Sequence, residues 1–149
     1  MLRVFIENEA GSDLKHHHDE GTLAFLRIER VKAPYPFPYG FVPGTRAPDG
    51  DCADCFVITA RPLRRGDQVE CLPFALMEST EGGLVDHNVL AVLPGEAPPD
   101  PAALEAVLTR FILDVFAGLP GRETTVGRFL PAAAAQEYLR DCGAASAAG

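Results

Sequence analysis

The chain has 149 residues, of which 47% are hydrophobic, and its formal net charge at pH 7 is −8. This length and composition suffice for one domain with a single hydrophobic core, which we expect to span residues 1–143. The acidic balance argues against nucleic acid or a membrane surface as a partner, because both attract positively charged proteins. A polyanionic ligand is not excluded, since bound cations reverse the local charge.

The sequence has no apolar run of membrane-spanning length, and the first eleven residues reach acidic side chains too early for a signal peptide. A cytoplasmic protein with reduced cysteines is therefore expected. Cys52 and Cys55 have the spacing of a redox or zinc half-site. A zinc site would need two more close ligands, however, and the residues after Cys55 continue as a strand rather than a helix.

Two segments near the N-terminus, Leu2 to Glu7 and Leu23 to Arg30, alternate in polarity and predict β-strands. Between them lies a run of three histidines, His16, His17 and His18. Three consecutive side chains of a strand cannot all face one ion, so we interpret this run as a solvated strand or turn, with a transition-metal site as the alternative.

Residues 33–45 contain four prolines, which exclude a helix or a central strand and predict a rigid loop or irregular edge. Such a segment is suited to form the wall of a binding site. Within it, Tyr39 precedes Gly40. The Tyr39 hydroxyl could donate to an anionic oxygen, or the side chain could be an ordinary buried core residue.

The stretch PDGDCADCFVI, residues 48–58, places Asp49, Asp51 and Asp54 within six positions before an apolar segment. Three carboxylates this close repel one another unless divalent cations such as Mg²⁺ hold them together. Asp54 has the opposite strand parity to the other two and can join them only if the chain turns, which Gly50 permits. A polar turn without metal is the alternative.

Three further apolar segments, Phe56 to Ala60, Val69 to Met77 and Leu84 to Leu93, are also predicted to be strands. About five short strands in succession indicate a small closed β-barrel. Asp86 interrupts the apolar pattern of the last segment, where an ionised carboxylate is costly without a cation. This favours a metal-binding role for Asp86.

The C-terminal third predicts two helices. Asp100 is a suitable N-cap before Pro101, and an apolar stripe from Leu104 to Val115 follows helical spacing. A shorter helix is expected from Ala132 to Cys142, and residues 144–149 are expected to be disordered. The predicted fold class is therefore mainly β (α+β), with one long and one short C-terminal helix.

The stretch DGDCADCFV resembles the Asp-Gly-Asp-Pro-x-Asp signature of the family I soluble inorganic pyrophosphatases, with Cys52 in place of the proline. The resemblance runs from residue 4 to about residue 95. It rests also on FIEN (5–8), Lys15, the pair Glu29-Arg30, PYPFPYGFVPGT (34–45), and Glu81 and Asp86 followed by VLAV (89–92).

This resemblance implies a five-stranded OB-like closed barrel and Mg²⁺-dependent hydrolysis of pyrophosphate to two phosphates by a metal-activated water. It implies several Mg²⁺ ions, with Mn²⁺ as an alternative, and a homo-oligomer, often a hexamer in bacterial relatives. By resemblance the general base is Asp51, the metal ligands are Asp49, Asp54, Glu81 and Asp86, the phosphate-binding residues are Lys15, Arg30 and Tyr39, and Glu7 is an outer-shell acid.

The chain also departs from the family pattern. Asn88 stands where the family has a second phosphate lysine, and Val115-Phe116 stands where it has a Tyr-Lys pair. Glu81 replaces an aspartate and His17 a glutamate. The missing lysines predict reduced activity unless Arg110, Arg122 or His87 compensates. A hydrolase of an organic diphosphate and a non-catalytic phosphate- or metal-binding protein are the alternatives.

Overall fold

The computed structural model describes residues 1–143, and within them the chain forms nine strands and two helices. The expected disorder of residues 144–149 lies outside the described residues. In chain order the elements are β1 (Leu2–Asn8), β2 (Leu14–His18), β3 (Phe25–Arg30), β4 (Tyr39–Phe41), β5 (Asp54–Val57), β6 (Gln68–Glu81), β7 (Leu84–Val85), β8 (Asn88–Val92), α1 (Pro101–Asp114), β9 (Thr124–Pro131) and α2 (Ala132–Asp141).

Five strands close into a ring in the order β1-β4-β5-β8-β6, and β6 pairs back with β1. All of these pairings are antiparallel except that between β5 and β8. β7 and β9 extend the sheet from β6, while β2 and β3 form a separate two-stranded ribbon. This ring confirms the predicted mainly β fold with a five-stranded OB-like closed barrel.

The membership of the ring differs from the prediction in one strand. The segment Leu23 to Arg30 supplies β3 of the ribbon, and the fifth ring strand is instead β4, inside the proline-rich segment predicted to be a loop or edge. Gly40 makes this strand possible. A Cβ atom at Gly40 would lie 1.8 Å from the carbonyl oxygen of Phe5, so only glycine allows β4 to pair this closely with β1.

The sequence predicts one continuous strand from Leu84 to Leu93, but the structure differs. The segment is divided at Asp86 and His87 into β7, which forms a hairpin with β6, and β8, which enters the ring. The sequence also failed to predict β9. This strand lies at the edge of the sheet, pairs only with β6 among the described strands, and is too exposed to show a strong apolar alternation.

The ring strands bury both faces. Along β5, for example, Cys55 and Val57 belong to one apolar cluster, which includes Ala135 and Leu139 of α2, whereas Phe56 belongs to a second cluster packed on α1. This alternation follows from the two-residue period of a strand. The barrel is therefore covered by α2 on one side and by α1 on another, and α1 brings its C-terminal end towards the ribbon.

Helix α1 begins as predicted, with Pro101 at its first position and the Asp100 carboxylate accepting the backbone N–H of Ala102 at 3.0 Å. Its buried residues are Leu104, Leu108, Phe111 and Ile112, which belong to the predicted stripe. Val107, also part of that stripe, is instead 46% exposed. Helix α2 ends at Asp141, one residue before the predicted boundary. Neither helix in the described part of the chain is long and apolar enough to cross a membrane.

Candidate active site

A cleft of about 560 Å³ lies where the β2–β3 ribbon, the acidic loop before β5, the β6–β8 region and the end of α1 meet. Its lining is strongly acidic. Lys15 and Arg122 are the two lining residues, within the described chain, that carry a permanent positive charge. The carboxylate residues are eight: Glu7, Asp19, Glu20, Asp49, Asp51, Asp54, Glu81 and Asp86.

The acidic loop has the turn that the sequence predicts. Gly50 adopts a φ of +93°, and its N–H donates to the Ala47 carbonyl oxygen at 2.9 Å, while the Ala47 N–H donates to Asp51 O. The Asp51 N–H in turn donates to the Asp49 side chain at 3.0 Å. The turn directs the chain into β5, whose first residue, Asp54, lines the same cleft.

Asp86 is held beside this loop by the break between β7 and β8. Its N–H donates to the Ser79 carbonyl oxygen at 2.9 Å, and its own carbonyl oxygen accepts the Ser79 hydroxyl. The buried Asn88 amide donates to the same carbonyl at 3.3 Å and to the Ser79 hydroxyl at 3.2 Å. Asp86 thus leaves the strand pattern because Ser79 and Asn88 bind its backbone, which corrects its expected place inside a strand.

The carboxylates of Asp49 and Asp54 both interact electrostatically with the neighbouring Asp86. Burial raises the pKa of Asp54 well above its usual range, and the neighbouring Asp86 charge raises it further. Burial also raises the pKa of Asp49, with a smaller contribution from Asp86. The ionised forms of Asp49 and Asp54 are therefore disfavoured in the absence of a cation.

This donor set fits a hard divalent cation. Carboxylate oxygens are the ligands that Mg²⁺ prefers, and a bound cation would replace the protons that otherwise relieve the repulsion. Among residues 1–143, no three of the His, Cys, Asp and Glu side chains are already spaced as a complete metal site. A cation in the cleft would therefore require these side chains to move closer together around it.

Lys15 and Tyr39 lie on the other side of the cleft. The Lys15 Nζ atom is 5.6 Å from the centroid of the Tyr39 ring and 5.4 Å from that of Phe116. Burial lowers the pKa of Lys15, but the nearby Tyr35, Asp54 and other acids outweigh it and raise the pKa above its ordinary value. Burial raises the pKa of Tyr39 well above its ordinary value. Lys15 is thus a cation and Tyr39 a neutral hydroxyl at neutral pH.

Two further acids border the cluster. Burial raises the pKa of Asp51, and the Asp49 charge adds to this effect while Lys15 opposes it. Burial also raises the pKa of Glu7 to about 7. Glu7 accepts the backbone N–H of His18 at 3.1 Å, and the His18 Nδ1 atom lies 3.5 Å from the same carboxylate.

The structure does not bring Arg30 to this cleft. Lys15 lines the cleft and is paired with Glu29, so these two side chains point to the same face of the ribbon, and the next residue, Arg30, points to the opposite face. The Arg30 guanidinium instead pairs with Asp13 at 2.8 Å, and its side chain is 70% exposed.

The three histidines have separate environments, as expected for consecutive strand residues. The His16 ring lies 3.3 Å from the Asn8 side-chain oxygen, the His17 Nε2 atom lies 3.1 Å from Glu29, and His18 faces Glu7. The four cysteines of the described chain are buried free thiols.

Arg122, from the segment between α1 and β9, is the one of the three candidate compensating cations that lines the cleft. It contacts Glu29, Glu81 and Phe116. The other two residues considered as compensating cations lie elsewhere. Arg110 is exposed and faces Asp114 at 3.9 Å, and His87 accepts the Ser79 N–H at 3.1 Å and packs on Tyr138.

Comparison with known proteins gives a consistent set of similarities. Residues 4–106 match the family model described as inorganic pyrophosphatase. The inorganic pyrophosphatase of Halalkalibacterium halodurans is 31% identical over 154 residues, covering 95% of this chain and 93% of that protein. The inorganic pyrophosphatase of Aeropyrum pernix is 29% identical over 153 residues, covering 94% and 86%.

The solved structure of inorganic pyrophosphatase from Thermus thermophilus superposes with a TM-score of 0.85 at 28% identity, covering 96% of this chain and 89% of that one. Several other relatives align only over their more similar part, which is between 52% and 59% of their length. The two long alignments and the superposition show that the similarity extends beyond the acidic loop to both helices.

Proposed function

Because this chain belongs to the inorganic pyrophosphatase family, of the family I soluble type, we propose that it hydrolyses inorganic pyrophosphate to two phosphates in the cleft described above. The observation that carries this proposal is the meeting of Asp49, Asp51, Asp54 and Asp86 with Lys15 in one cleft. Hydrolysis of a phosphoanhydride needs charge neutralisation on both phosphates and a water that can lose a proton, and these residue types provide for both.

We assign the metal sites to Asp49, Asp54, Glu81 and Asp86, with Mg²⁺ as the expected ion and Mn²⁺ as an alternative. When bound, such ions neutralise the phosphate charge and make water acidic enough to lose a proton at neutral pH. Asp49 and Asp54, from the acidic loop, and Asp86, from the β7–β8 break, would hold the ions. Glu81, at the end of β6, faces the same space from the side of Arg122.

Asp51 is the proposed general base. It accepts the proton of the attacking water while the new oxygen–phosphorus bond forms and the bridging oxygen leaves with the second phosphate. Its raised pKa suits proton acceptance. Lys15 and Tyr39 donate hydrogen bonds to the phosphate oxygens, and Glu7 supports the ribbon through the His18 N–H as an outer acid. Arg30 has no part in this arrangement.

The direct test is the release of phosphate from pyrophosphate in the presence of Mg²⁺, measured beside a panel of nucleoside and isoprenoid diphosphates. We expect pyrophosphate to be the best substrate. A second candidate, hydrolysis of an organic diphosphate, is favoured by the exposed apolar side chains of Leu26 and Leu84 at the cleft, which are 61% and 56% exposed. Preference for an isoprenoid diphosphate would support it. Binding without release from any compound would indicate a non-catalytic protein.

Mg²⁺ should raise the melting temperature of the protein. Filling the cleft relieves the repulsion among Asp49, Asp54 and Asp86, and an ion that binds only the folded state stabilises it by about 2.7 kcal/mol at 100 times its dissociation constant. Differential scanning fluorimetry in EDTA and in millimolar Mg²⁺ measures the shift. Equal melting temperatures under both conditions would contradict the proposed metal sites.

We also infer a single domain over residues 1–143, a cytoplasmic location and a homo-oligomer, which the family resemblance suggests to be a hexamer. The shared apolar clusters support one domain, because α1, α2 and the barrel have no separate cores. Light scattering of the purified protein measures the oligomeric state.

A further inference from the structure

Arg122 occupies an unusual position in a cleft that is otherwise lined by acids. Its Nε atom donates to Glu81 at 3.2 Å, and its Nη1 atom donates to Glu29. These two acids lie on different elements, Glu81 at the end of β6 and Glu29 on the ribbon. The guanidinium therefore joins the barrel to the ribbon across the cleft.

Phe116 packs against this guanidinium. The Arg122 Cζ atom lies only 3.7 Å from the centroid of the Phe116 ring, which is stacking distance. Phe116 is 7% exposed, so the ring is a fixed platform. The Arg122 side chain itself is 27% exposed, which leaves it accessible from the cleft.

The same ring also neighbours Lys15. Because the Lys15 Nζ atom is 5.4 Å and the Arg122 Cζ atom 3.7 Å from the one ring centroid, the two cations are at most about 9 Å apart. Arginine has five N–H donors, and its bonds to Glu29 and Glu81 use two of them. Donors remain for a phosphate, and the planar guanidinium can bind it in a bidentate manner.

We propose that Arg122, stacked on Phe116, is a phosphate-binding residue of this cleft and supplies the cation that Asn88 and Phe116 themselves cannot. Lys15 and Arg122 then bind the two ends of one diphosphate, while the acids hold the metal ions. Glu29 and Glu81 orient the guanidinium before substrate arrives. This inference rests on the proposed function, since it names a further substrate residue of the same site.

The test compares Arg122→Ala with Arg110→Gln. Arg110 is a matched control because it is an arginine of α1 that is 81% exposed and outside the cleft. Loss of one charge-assisted hydrogen bond lowers affinity or rate by about 10- to 100-fold. We expect kcat/KM for pyrophosphate to fall by this factor in Arg122→Ala, and affinity for the non-hydrolysable methylene diphosphonate to fall in parallel, with both unchanged in Arg110→Gln.

A merely structural role is separated by chemical rescue. Added guanidinium chloride at low millimolar concentration should restore part of the activity of Arg122→Ala and should not raise that of the wild type. Two further variants, Arg122→Lys and Arg122→Gln, cover the case in which the alanine variant does not fold. Arg122→Lys keeps the positive charge and should therefore retain more diphosphonate affinity than Arg122→Gln.

The outcomes are distinct from failure of the proposed function. If the wild type releases no phosphate from any diphosphate, the proposed function is wrong. The role of Arg122 in binding can still be tested in that case, because diphosphonate affinity is measured without catalysis. Arg122 variants whose kcat/KM and diphosphonate affinity equal those of the wild type would overturn the inference. So would a loss of activity that leaves diphosphonate affinity unchanged and is not rescued by guanidinium or by lysine.

Discussion

Replacement of Asp51 by asparagine is expected to lower kcat for pyrophosphate by about 10²- to 10⁴-fold, the range that a general base contributes. Asparagine keeps the shape of the side chain and loses only its ability to accept the proton. The backbone N–H of Asp51, which donates to Asp49, is not altered, so the turn of the acidic loop should persist. Affinity for Mg²⁺ should stay within a few-fold of the wild type.

Phosphate release at saturating Mg²⁺ measures the activity, and calorimetric titration measures metal affinity. Asp114→Asn serves as the control, because Asp114 lies on α1 outside the cleft and pairs with the exposed Arg110 at 3.9 Å. An Asp51→Asn protein that retained wild-type kcat would show that another group takes the proton. Loss of Mg²⁺ affinity together with activity would instead make Asp51 a metal ligand.

The acidic loop could be predicted because its chemistry is local in the sequence. Asp49, Asp51 and Asp54 lie within six positions, and a turn at Gly50 is enough to bring them to one face. Asp86 was identified by its cost in an apolar pattern, although the physical response is a break in the strand rather than a buried charge inside it. The barrel followed from the succession of short strands.

Features that depend on pairing between distant segments could not be predicted in this way. Glu29 and Arg30 are adjacent in sequence, but strand alternation points their side chains to opposite faces of the ribbon, so Glu29 reaches Arg122 whereas Arg30 pairs with Asp13. The sequence names Arg122 only as one of three candidate compensating cations. Its place in the cleft depends on Phe116, Glu29 and Glu81, which converge on it from three separate segments, and no spacing in the sequence reports that convergence. The short β4 strand depends likewise on the space that Gly40 leaves for Phe5.

Asp54→Asn is expected to make the metal-free protein more stable than the wild type and the protein in Mg²⁺ less stable than the wild type. In the metal-free protein, burial and Asp86 raise the pKa of Asp54. Between the ordinary aspartate pKa of about 3.9 and this raised value, the folded protein binds more protons than the unfolded chain, so the free energy of unfolding falls as pH rises. Asparagine carries no such charge, and its amide can donate to Asp86. The metal-free variant should therefore be more stable than the metal-free wild type at pH 8.

The difference between the two metal-free proteins should shrink towards pH 4, where Asp54 is protonated in the folded wild type and about half protonated in its unfolded chain. In saturating Mg²⁺ at pH 8 the wild type should be the more stable of the two proteins, because it gains the free energy of metal binding and the variant has lost a central ligand. Pyrophosphate hydrolysis by the variant should be nearly abolished. Urea unfolding in EDTA and in Mg²⁺, from pH 4 to pH 8, measures both effects. Glu70→Gln is the control, since its exposed carboxylate stays hydrated on folding. A metal-free Asp54→Asn protein less stable than the wild type at pH 8 would mean that the Asp54 charge is compensated within the protein, by Lys15 rather than by a metal ion.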